Sequence, residues 1–264
     1  MSSIGVIINA DDYGLSNGVC EAINELAKLG AISNTTMMLC AEGAPDTISA
    51  MLTSETRKIA GVHLQLTGGS PLSDFSEIPS LIQERGKFKD PRKELVDPAE
   101  VYVEWKSQIE LSIKLLGKRP THIDSHHGMQ RNSNLFPVYA RLAEEYELPF
   151  RGANDGVKAT IVQESLPGTV AIARKWTGSC AGPEGLASQL HETVLEFGPT
   201  CLVEVVAHPG FSDNYLRRTS SLNDKRECDY IGLLEAFRQG TLKSEGFYLT
   251  SFQEAFCDAY AAHS

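Results

Sequence analysis

The sequence predicts an α/β fold, a distorted (β/α) barrel of the TIM type built as a single domain over residues 1–264. Short apolar runs that suit buried strands alternate with amphipathic stretches that suit helices. A polar group follows the carboxyl end of several of those runs, and 264 residues is a common length for one such barrel. Because the carboxyl ends of barrel strands meet at one face, we expect these polar groups to form one site.

The overall composition narrows the classes of partner. The formal net charge of −10 argues against nucleic acid or an anionic membrane, because both attract basic surfaces. No apolar run approaches the roughly 18 residues of a membrane span, and the N-terminus lacks the pattern of a signal peptide. The six cysteines are scattered and form no CxxC pair, which predicts reduced, buried thiols in a cytoplasmic protein and no zinc–thiolate site.

The first strand is predicted over residues 4–9, and Asp11 and Asp12 follow where it ends. A helix is expected over Asn17–Leu29, with Ser16 as its N-cap. Enzymes of the α/β class place catalytic groups in this way, at the carboxyl tip of an apolar strand. Aspartate is also common in turns and helix caps, so the pair alone leaves a purely structural role open.

Two more strands are predicted over residues 33–40 and 60–66, with a helix over 44–53 between them. In the later strand, apolar residues alternate with His63 and Gln65, which therefore face the barrel interior. A single inward histidine is often a hydrogen-bonded structural residue. A ligand role for His63 therefore depends on what the other strands contribute.

Residues 68–97 are rich in proline, serine, glycine and charge and predict a long loop insertion, of the kind that forms lids or substrate loops. The helix Pro98–Leu116 follows, with apolar residues at helical spacing.

A second dense polar cluster lies within residues 120–128. If this segment is a strand, His122, Asp124 and His126 share one face. One histidine at the tip could hold a metal while the aspartate lines the space beneath it. Three histidines and an aspartate in so short a segment are difficult to explain as core, so the cluster favours function.

The middle of the chain contributes fewer signals. A helix over 133–146 leads to a short strand over 149–151, which ends in Arg151, a candidate inward charge. Residues 152–181 are predicted to be irregular. Within them, Trp176 suits either a sugar-stacking surface or a loop anchor.

A late strand is predicted over residues 201–208, after a helix over 184–197. Glu204 lies inside this apolar strand, where an unpaired carboxylate is unfavourable. We therefore expect it to bond a neighbouring strand below the site. A helix over 227–239 and a strand and helix over 246–261 complete the chain.

Four separated strands thus end in polar groups, which are Asp11 with Asp12, His63, His126 and His208. One aspartate with two histidines is a standard set of protein ligands for a hydrolytic metal, and it leaves positions open for water and substrate. A second carboxylate can then take the proton of the water, and a histidine can protonate the leaving group.

Four segments carry a family resemblance: NADDYGLS, GVHLQLTGGSPL, RPTHIDSHH and EVVAHPGFSDN. Their order and spacing resemble those of the YdjC/ChbG-like carbohydrate deacetylases, over about residues 4–251. The resemblance implies a distorted (β/α) barrel and a metal-dependent deacetylase of N-acetylated sugars such as chitooligosaccharides. It also implies a homodimer.

The same resemblance assigns roles by motif position. Asp12, His63 and His126 would be the metal ligands. Asp11 would be the general base that takes the proton of the attacking water, and His208 would be the general acid.

Three further residues are candidates near these groups. The resemblance suggests that Arg151 tunes the base and that Asp213 is a partner of the acid, and both are candidates for substrate binding together with Trp176. Gly128 is a departure, because relatives commonly carry a third histidine there. We expect this difference to affect substrate choice rather than the metal.

The expected cofactor is one divalent ion. The resemblance implies Mg²⁺, whereas two imidazoles and a carboxylate suit Zn²⁺, Co²⁺ or Mn²⁺ better, because magnesium prefers oxygen.

The expected partner is an N-acetylated mono- or oligosaccharide. Two alternatives stay open: a barrel hydrolase acting on another amide or a phosphoester, and a non-catalytic sugar-binding or regulatory relative. Retention of both Asp11 and His208 argues against the second.

Overall fold

The computed structural model describes residues 4–152 and 167–257, and its centre is a sheet of parallel strands. Nine strands lie in the described part of the chain: β1 (Ile4–Tyr13), β2 (Asn34–Met37), β3 (Ala60–Leu64), β4 (Ile123–Ser125), β5 (Phe150–Arg151), β6 (Gly168–Thr169), β7 (Ala171–Ala173), β8 (Val203–Ala207) and β9 (Phe247–Leu249). Along the sheet the order is β6, β5, β4, β3, β2, β1, β8 and β7, and β9 pairs with the start of β1.

The two ends of this order are neighbours in sequence, since only Val170 separates β6 from β7. β6 pairs with β5 and β7 pairs with β8, so the sheet curves round into a distorted, nearly closed barrel. The predicted fold class is therefore confirmed. The expectation of irregular chain over 152–181 is wrong for the two closing strands, which are too short to show periodicity. Residues 153–166 lie outside the described ranges.

Ten α-helices lie in the described ranges: α1 (Asn17–Leu29), α2 (Ala44–Met51), α3 (Ser54–Ile59), α4 (Pro98–Leu116), α5 (Phe136–Glu145), α6 (Gly182–Phe197), α7 (Asn214–Thr219), α8 (Asp224–Gln239), α9 (Thr241–Ser244) and α10 (Phe252–Ala255). Their apolar faces join the strands in a shared core, in which Val19, Ile23 and Leu26 of α1 are fully buried. None of these helices is long and apolar enough to cross a membrane.

Helix ends with local capping signals lie where the sequence predicts them. The side chains of Ser16 and Asp97 accept backbone N–H groups at the starts of α1 and α4. Gly30 and Gly117 take left-handed conformations at the ends of the same helices. The helix predicted over 44–53 is α2, which ends at Met51, and a separate helix that was not predicted, α3, begins after its N-cap Thr53.

The segment between β3 and α4 has no α-helix and includes two short 3₁₀ turns, Pro79–Leu81 and Glu84–Gly86. The loop insertion predicted over residues 68–97 falls in this segment. Its start is fixed by Glu104 of α4, a fully buried carboxylate that accepts the backbone N–H groups of Leu72 and Ser73. The insertion is thereby held against the barrel wall.

The cysteines correct one expectation. Cys180 and Cys228 form a disulfide, although the sequence predicted reduced thiols. The two are 48 residues apart in sequence and meet because the segment after β7 folds against α8, which sequence spacing does not show. Cys20 and Cys40 are free and buried as predicted, whereas Cys257 is exposed.

We expect Cys228→Ser to lower the free energy of unfolding by about 4 kcal/mol, because a bond closing a loop of this length restricts the unfolded chain. Urea unfolding without reductant measures the change. Cys201→Ser, at a free and partly buried thiol, is the matched control and should change little. Equal stability of the wild type and Cys228→Ser would show that the bond does not form.

Candidate active site

A bulge at the end of β1 brings two consecutive carboxylates to one cavity. Between Ala10 and Tyr13 the register of β1 on β2 shifts, so that Asp11 and Asp12 together stand opposite one residue. Asp12 has a φ of 73°, a left-handed conformation that non-glycine residues rarely adopt. In a regular strand the two side chains would point to opposite faces. Here both line the same cavity, and the strand runs past its predicted end at residue 9 to include them.

This cavity has a volume of about 330 Å³ and lies where several strands end. Its walls bring together the residues that the sequence singled out at four strand ends: Asp11, Asp12, His63, His126 and His208. The structure thus brings these groups, which come from four separate strand ends, to one cavity.

Three of these side chains converge on one point. Asp12 Oδ1 lies 3.4 Å from His63 Nε2 and 3.6 Å from His126 Nδ1, and the two nitrogens are 3.3 Å apart. The other oxygen of Asp12 accepts a 2.7 Å hydrogen bond from Arg226 Nη2. Arg226 is buried on α8 and was not predicted, because nothing in the local sequence distinguishes it from a surface arginine. It turns Oδ1 of Asp12 towards the two imidazoles.

The three groups fit a divalent cation. Asp12 Oδ1 is buried and has no hydrogen-bond partner among the described residues. Its spacing from the two nitrogens suits ligands that share an ion at about 2.0–2.2 Å. His63 Nδ1 is paired with Asp124 Oδ1 at 2.6 Å, which directs the other ring nitrogen at the same point. Burial lowers the pKa of His126, which favours the neutral, ligating form.

A second set of possible metal ligands does not suit a cation. Asp11, Asp124 and His63 also lie close together. However, the Arg151 guanidinium lies between the two carboxylates, with Nη1 at 2.7 Å from Asp11 Oδ2 and 2.9 Å from Asp124 Oδ2. The Arg151 guanidinium therefore supplies the positive charge between these two carboxylates, in the position that a cation would need.

The protonation of His63 predicts how metal binding depends on pH. Burial alone would lower the pKa of His63, but Asp124 and Asp11 raise it to about 9. Below that pH the metal-free imidazole is protonated, so coordination through Nε2 must release a proton. Metal affinity should therefore rise with pH, by up to about tenfold per unit below pH 9.

Calorimetric titration of metal-stripped protein with Zn²⁺ at pH 7, in buffers of different ionisation enthalpy, measures this release. We expect about one proton per ion. Asp124→Asn removes the main group that raises the pKa, so it should bind with less proton release. Binding without proton release in the wild type would contradict the assignment of His63.

Asp11 forms a two-point ion pair with Arg151, whose Nη1 and Nη2 each donate a 2.7 Å hydrogen bond to it. Burial alone would raise the pKa of Asp11, but the Arg151 charge holds that pKa well below its ordinary value. Asp11 is therefore ionised across the physiological range. Arg151 faces inward as predicted, is 4% exposed and lines the cavity beside Asp11.

Glu204 is paired as expected, but its partners lie on β5 and β6, which do not pair with β8, instead of on a strand beside it. Its carboxylate is fully buried below the site and accepts a 2.6 Å hydrogen bond from Arg151 Nε. It accepts another, of 2.5 Å, from Thr169 Oγ1 on β6. Glu204 thus ties two neighbouring strands and fixes the far side of the Arg151 guanidinium.

His208 lies opposite the metal-ligand group, with Nε2 3.9 Å from Asp11 Oδ2. Asp213 is not its partner, which corrects the prediction. Asp213 caps α7, accepting the backbone N–H of Leu216 at 2.8 Å and that of Gly18 at 3.2 Å. The prediction rested on the closeness of Asp213 to His208 in sequence. It is wrong because the chain turns away from His208 after the strand.

Comparison with known proteins agrees with this geometry. The family model described as YdjC-like protein matches residues 5–243. The chain belongs to the YdjC-like family. A protein of Oceanobacillus iheyensis named carbohydrate deacetylase is 34% identical over 226 residues, which cover 84% of this chain and 92% of that protein. A protein of Escherichia fergusonii named chitooligosaccharide deacetylase is 31% identical over 223 residues, covering 81% and 85%.

A solved structure extends the likeness to three dimensions. A protein of Enterococcus faecalis V583, named only provisionally as a cellobiose-phosphate cleavage protein, superposes with a TM-score of 0.82 and 27% identity. The match covers 96% of this chain and 99% of that one. This YdjC-like chain therefore shares its barrel over nearly its whole length.

Gly128 is the position at which the resemblance led us to expect a third histidine, and the structure shows what lies in place of a side chain there. It has a φ of 64°, and a Cβ atom at this position would lie 2.2 Å from Arg131 Nη2. The guanidinium of Arg131 lines the cavity at this point. A histidine at position 128 would have to displace it.

Two further sequence candidates lie outside the cavity. Trp176 is 3% exposed, and its indole N–H donates to the Gly182 carbonyl at 2.9 Å. It is therefore the loop anchor, and the sugar-stacking alternative is wrong. His122 is fully buried and stacks on Phe252, with ring centroids 4.0 Å apart. β4 is only three residues long, so His126 begins a 3₁₀ turn instead of continuing the same strand face.

Proposed function

We propose that this protein is a metal-dependent deacetylase that hydrolyses the N-acetyl group of acetylated sugars such as chitooligosaccharides, releasing acetate. One observation carries the proposal: a metal-ligand group, an ionised carboxylate and a histidine face the same cavity. Two relatives named as deacetylases of carbohydrate or chitooligosaccharide support the choice of substrate.

Asp12, His63 and His126 would hold one divalent ion. When bound, it would polarise the acetamide carbonyl and make the attacking water more acidic. The donor set favours Zn²⁺, Co²⁺ or Mn²⁺, and the family resemblance favours Mg²⁺.

Asp11 is the general base in this proposal. Its pairing with Arg151 keeps it ionised, and a carboxylate has lone pairs to spare beyond the two hydrogen bonds from that guanidinium. Oδ2 faces the cavity side where His208 lies. It can therefore accept the proton of a water that attacks the acetamide carbon.

His208 is the general acid. Amide hydrolysis needs a proton on the departing nitrogen, because an amine anion is a very poor leaving group. Protonated His208 would supply that proton through Nε2, the ring nitrogen nearer Asp11. The products are acetate and a free amino sugar.

The cavity continues into a second space of about 430 Å³. His126, His127 and Arg226 line both spaces, so they form one cleft. Lys87 from the loop insertion and Tyr215 of α7 line the outer part. This extent supports a substrate longer than one sugar ring.

The homodimer is a further proposal that rests on the family resemblance, and the cytoplasmic location is one that rests on the scattered cysteines, which form no CxxC pair. The net charge of −10 supports the absence of nucleic-acid and anionic-membrane partners. The Cys180–Cys228 disulfide weighs against a reducing compartment. Light scattering of the purified protein and thiol labelling in intact cells test the two proposals.

The activity is tested by incubation with N-acetylglucosamine oligomers of two to four units. Acetate is assayed and product masses are measured. We expect one acetate per free amine formed, with no change in chain length. Hydrolysis only of a phosphoester or of an unrelated amide would move the assignment to another hydrolase. Sugar binding without turnover of any substrate would favour a non-catalytic relative.

A further inference from the structure

The side chain of Thr177 lies between His208 and a buried carboxylate. Thr177 Oγ1 donates a 2.5 Å hydrogen bond to Asp229 Oδ2 and is 3.1 Å from His208 Nδ1. Asp229, on α8, is 1% exposed. Its carboxylate also accepts the backbone N–H groups of His208, at 2.8 Å, and of Gly178, at 2.5 Å. Among the described residues, the hydroxyl of Thr177 therefore links the Asp229 carboxylate to the His208 ring.

The hydroxyl fixes the position of the ring proton. A threonine hydroxyl has one proton, and here it points to Asp229 Oδ2, an oxygen that also accepts the backbone N–H of His208. The oxygen must then accept from His208, so Nδ1 of the ring carries a proton. In neutral His208 the free lone pair is on Nε2, on the side of Asp11, and a second proton must bind there.

We infer that Thr177 is a positioning residue for His208: it links the ring to Asp229 and places the transferable proton on Nε2, facing the cavity. The inference rests on the proposed role of His208 as general acid. Neither Thr177 nor Asp229 belongs to a motif that the sequence singled out.

Other contacts hold the loop of Thr177, so the hydroxyl can be tested separately. Asp229 binds the backbone of Gly178, the disulfide joins Cys180 to Cys228, and the buried Trp176 anchors the same segment. Thr177→Val keeps the shape of the side chain and these contacts, but removes the hydroxyl. Thr177→Ser restores the hydroxyl.

The kinetic test compares two leaving groups. An N-acetylglucosamine oligomer needs protonation of its leaving amine, whereas the phenolate of 4-nitrophenyl acetate leaves without it. For Thr177→Val we expect kcat on the sugar amide to fall by about 10–100-fold, with KM nearly unchanged and a much smaller loss on the ester. Thr177→Ser should recover most of the amide activity.

Thr193→Val is the matched control, because Thr193 is a buried threonine of α6 bonded only to its own helix. It should leave both activities unchanged. Unaltered amide hydrolysis in Thr177→Val would overturn the inference. So would an equal loss on amide and ester that Thr177→Ser does not recover.

Nitrogen-15 NMR of histidine-labelled protein separates this inference from the proposed function. In the wild type and Thr177→Ser, neutral His208 should carry its proton on Nδ1. In Thr177→Val, the Nε2–H form should become populated. Absence of acetate release by the wild type would refute the proposed function but not this placement of the proton. The same tautomer in wild type and Thr177→Val would refute the placement whatever the activity.

Discussion

Replacing Asp11 by asparagine lowers kcat for acetate release by about 10²–10⁴-fold, the range expected for loss of a general base. Asparagine has nearly the same shape, and its carbonyl oxygen can still accept from Arg151, but it cannot take up a proton. Steady-state kinetics on an N-acetylglucosamine oligomer measures the loss.

The bound metal is the control for this variant. Asp11 is not one of the three converging ligands, so the metal content of Asp11→Asn should match that of the wild type. A variant that retains metal and full activity would show that another group takes the proton of the water. A variant that loses its metal would mean that Asp11 acts on the ligands rather than as a base.

Replacing Arg151 by methionine has the largest expected effect on stability. The guanidinium contacts three buried carboxylates, those of Asp11, Asp124 and Glu204. Without it, the negative charges of these carboxylates lie together at buried positions with no compensating charge. Removing one partner of a buried ion pair typically lowers stability by about 3–5 kcal/mol, and we expect at least that loss in urea unfolding at pH 7.

The loss should depend on pH in a defined direction. In the wild type, the lowered pKa of Asp11 contributes stability above its unfolded value of about 4, and this contribution disappears as pH falls through the folded pKa. In Arg151→Met, burial raises the pKa of Asp11 and of Glu204, so protonation relieves the repulsion at low pH. The difference in stability between variant and wild type should therefore be smaller at pH 4 than at pH 7.

Arg119→Met is the matched control, since Arg119 pairs with Glu147 on the surface and is 60% exposed. Exposed pairs contribute at most about 1 kcal/mol. If Arg151→Met were no less stable than Arg119→Met at pH 7, the guanidinium would not be compensating the buried carboxylates.

The parts of the fold that the sequence predicts well depend on local chemistry. α1 and α4 have their predicted bounds because a side-chain cap and a left-handed glycine mark their ends. The polar residues at four strand ends predicted the site because parallel strands present those ends at one face. His63 needs only that rule and side-chain alternation, whereas His126 lies just past the end of β4, in a 3₁₀ turn.

The parts that could not be predicted depend on contacts distant in sequence. Arg226, Thr177 and Asp229 lie outside any recognisable pattern, and only the packing of α8 beside the site gives them partners. The bulge that turns Asp11 and Asp12 to one side requires an uncommon backbone conformation. A prediction from the regular alternation of side chains along a strand places the two on opposite faces. Closeness in sequence was also misleading for Asp213, which caps a helix.

The central claim is that Asp12, His63 and His126 bind a metal needed to release acetate from N-acetylated sugars. The most direct measurement is acetate release by metal-stripped protein with single divalent ions added back, in parallel with His126→Ala. We expect no release without metal, restoration by at least one of Zn²⁺, Co²⁺, Mn²⁺ and Mg²⁺, and no restoration in the variant. Full acetate release by the stripped wild type, or equal restoration of His126→Ala, would contradict the claim.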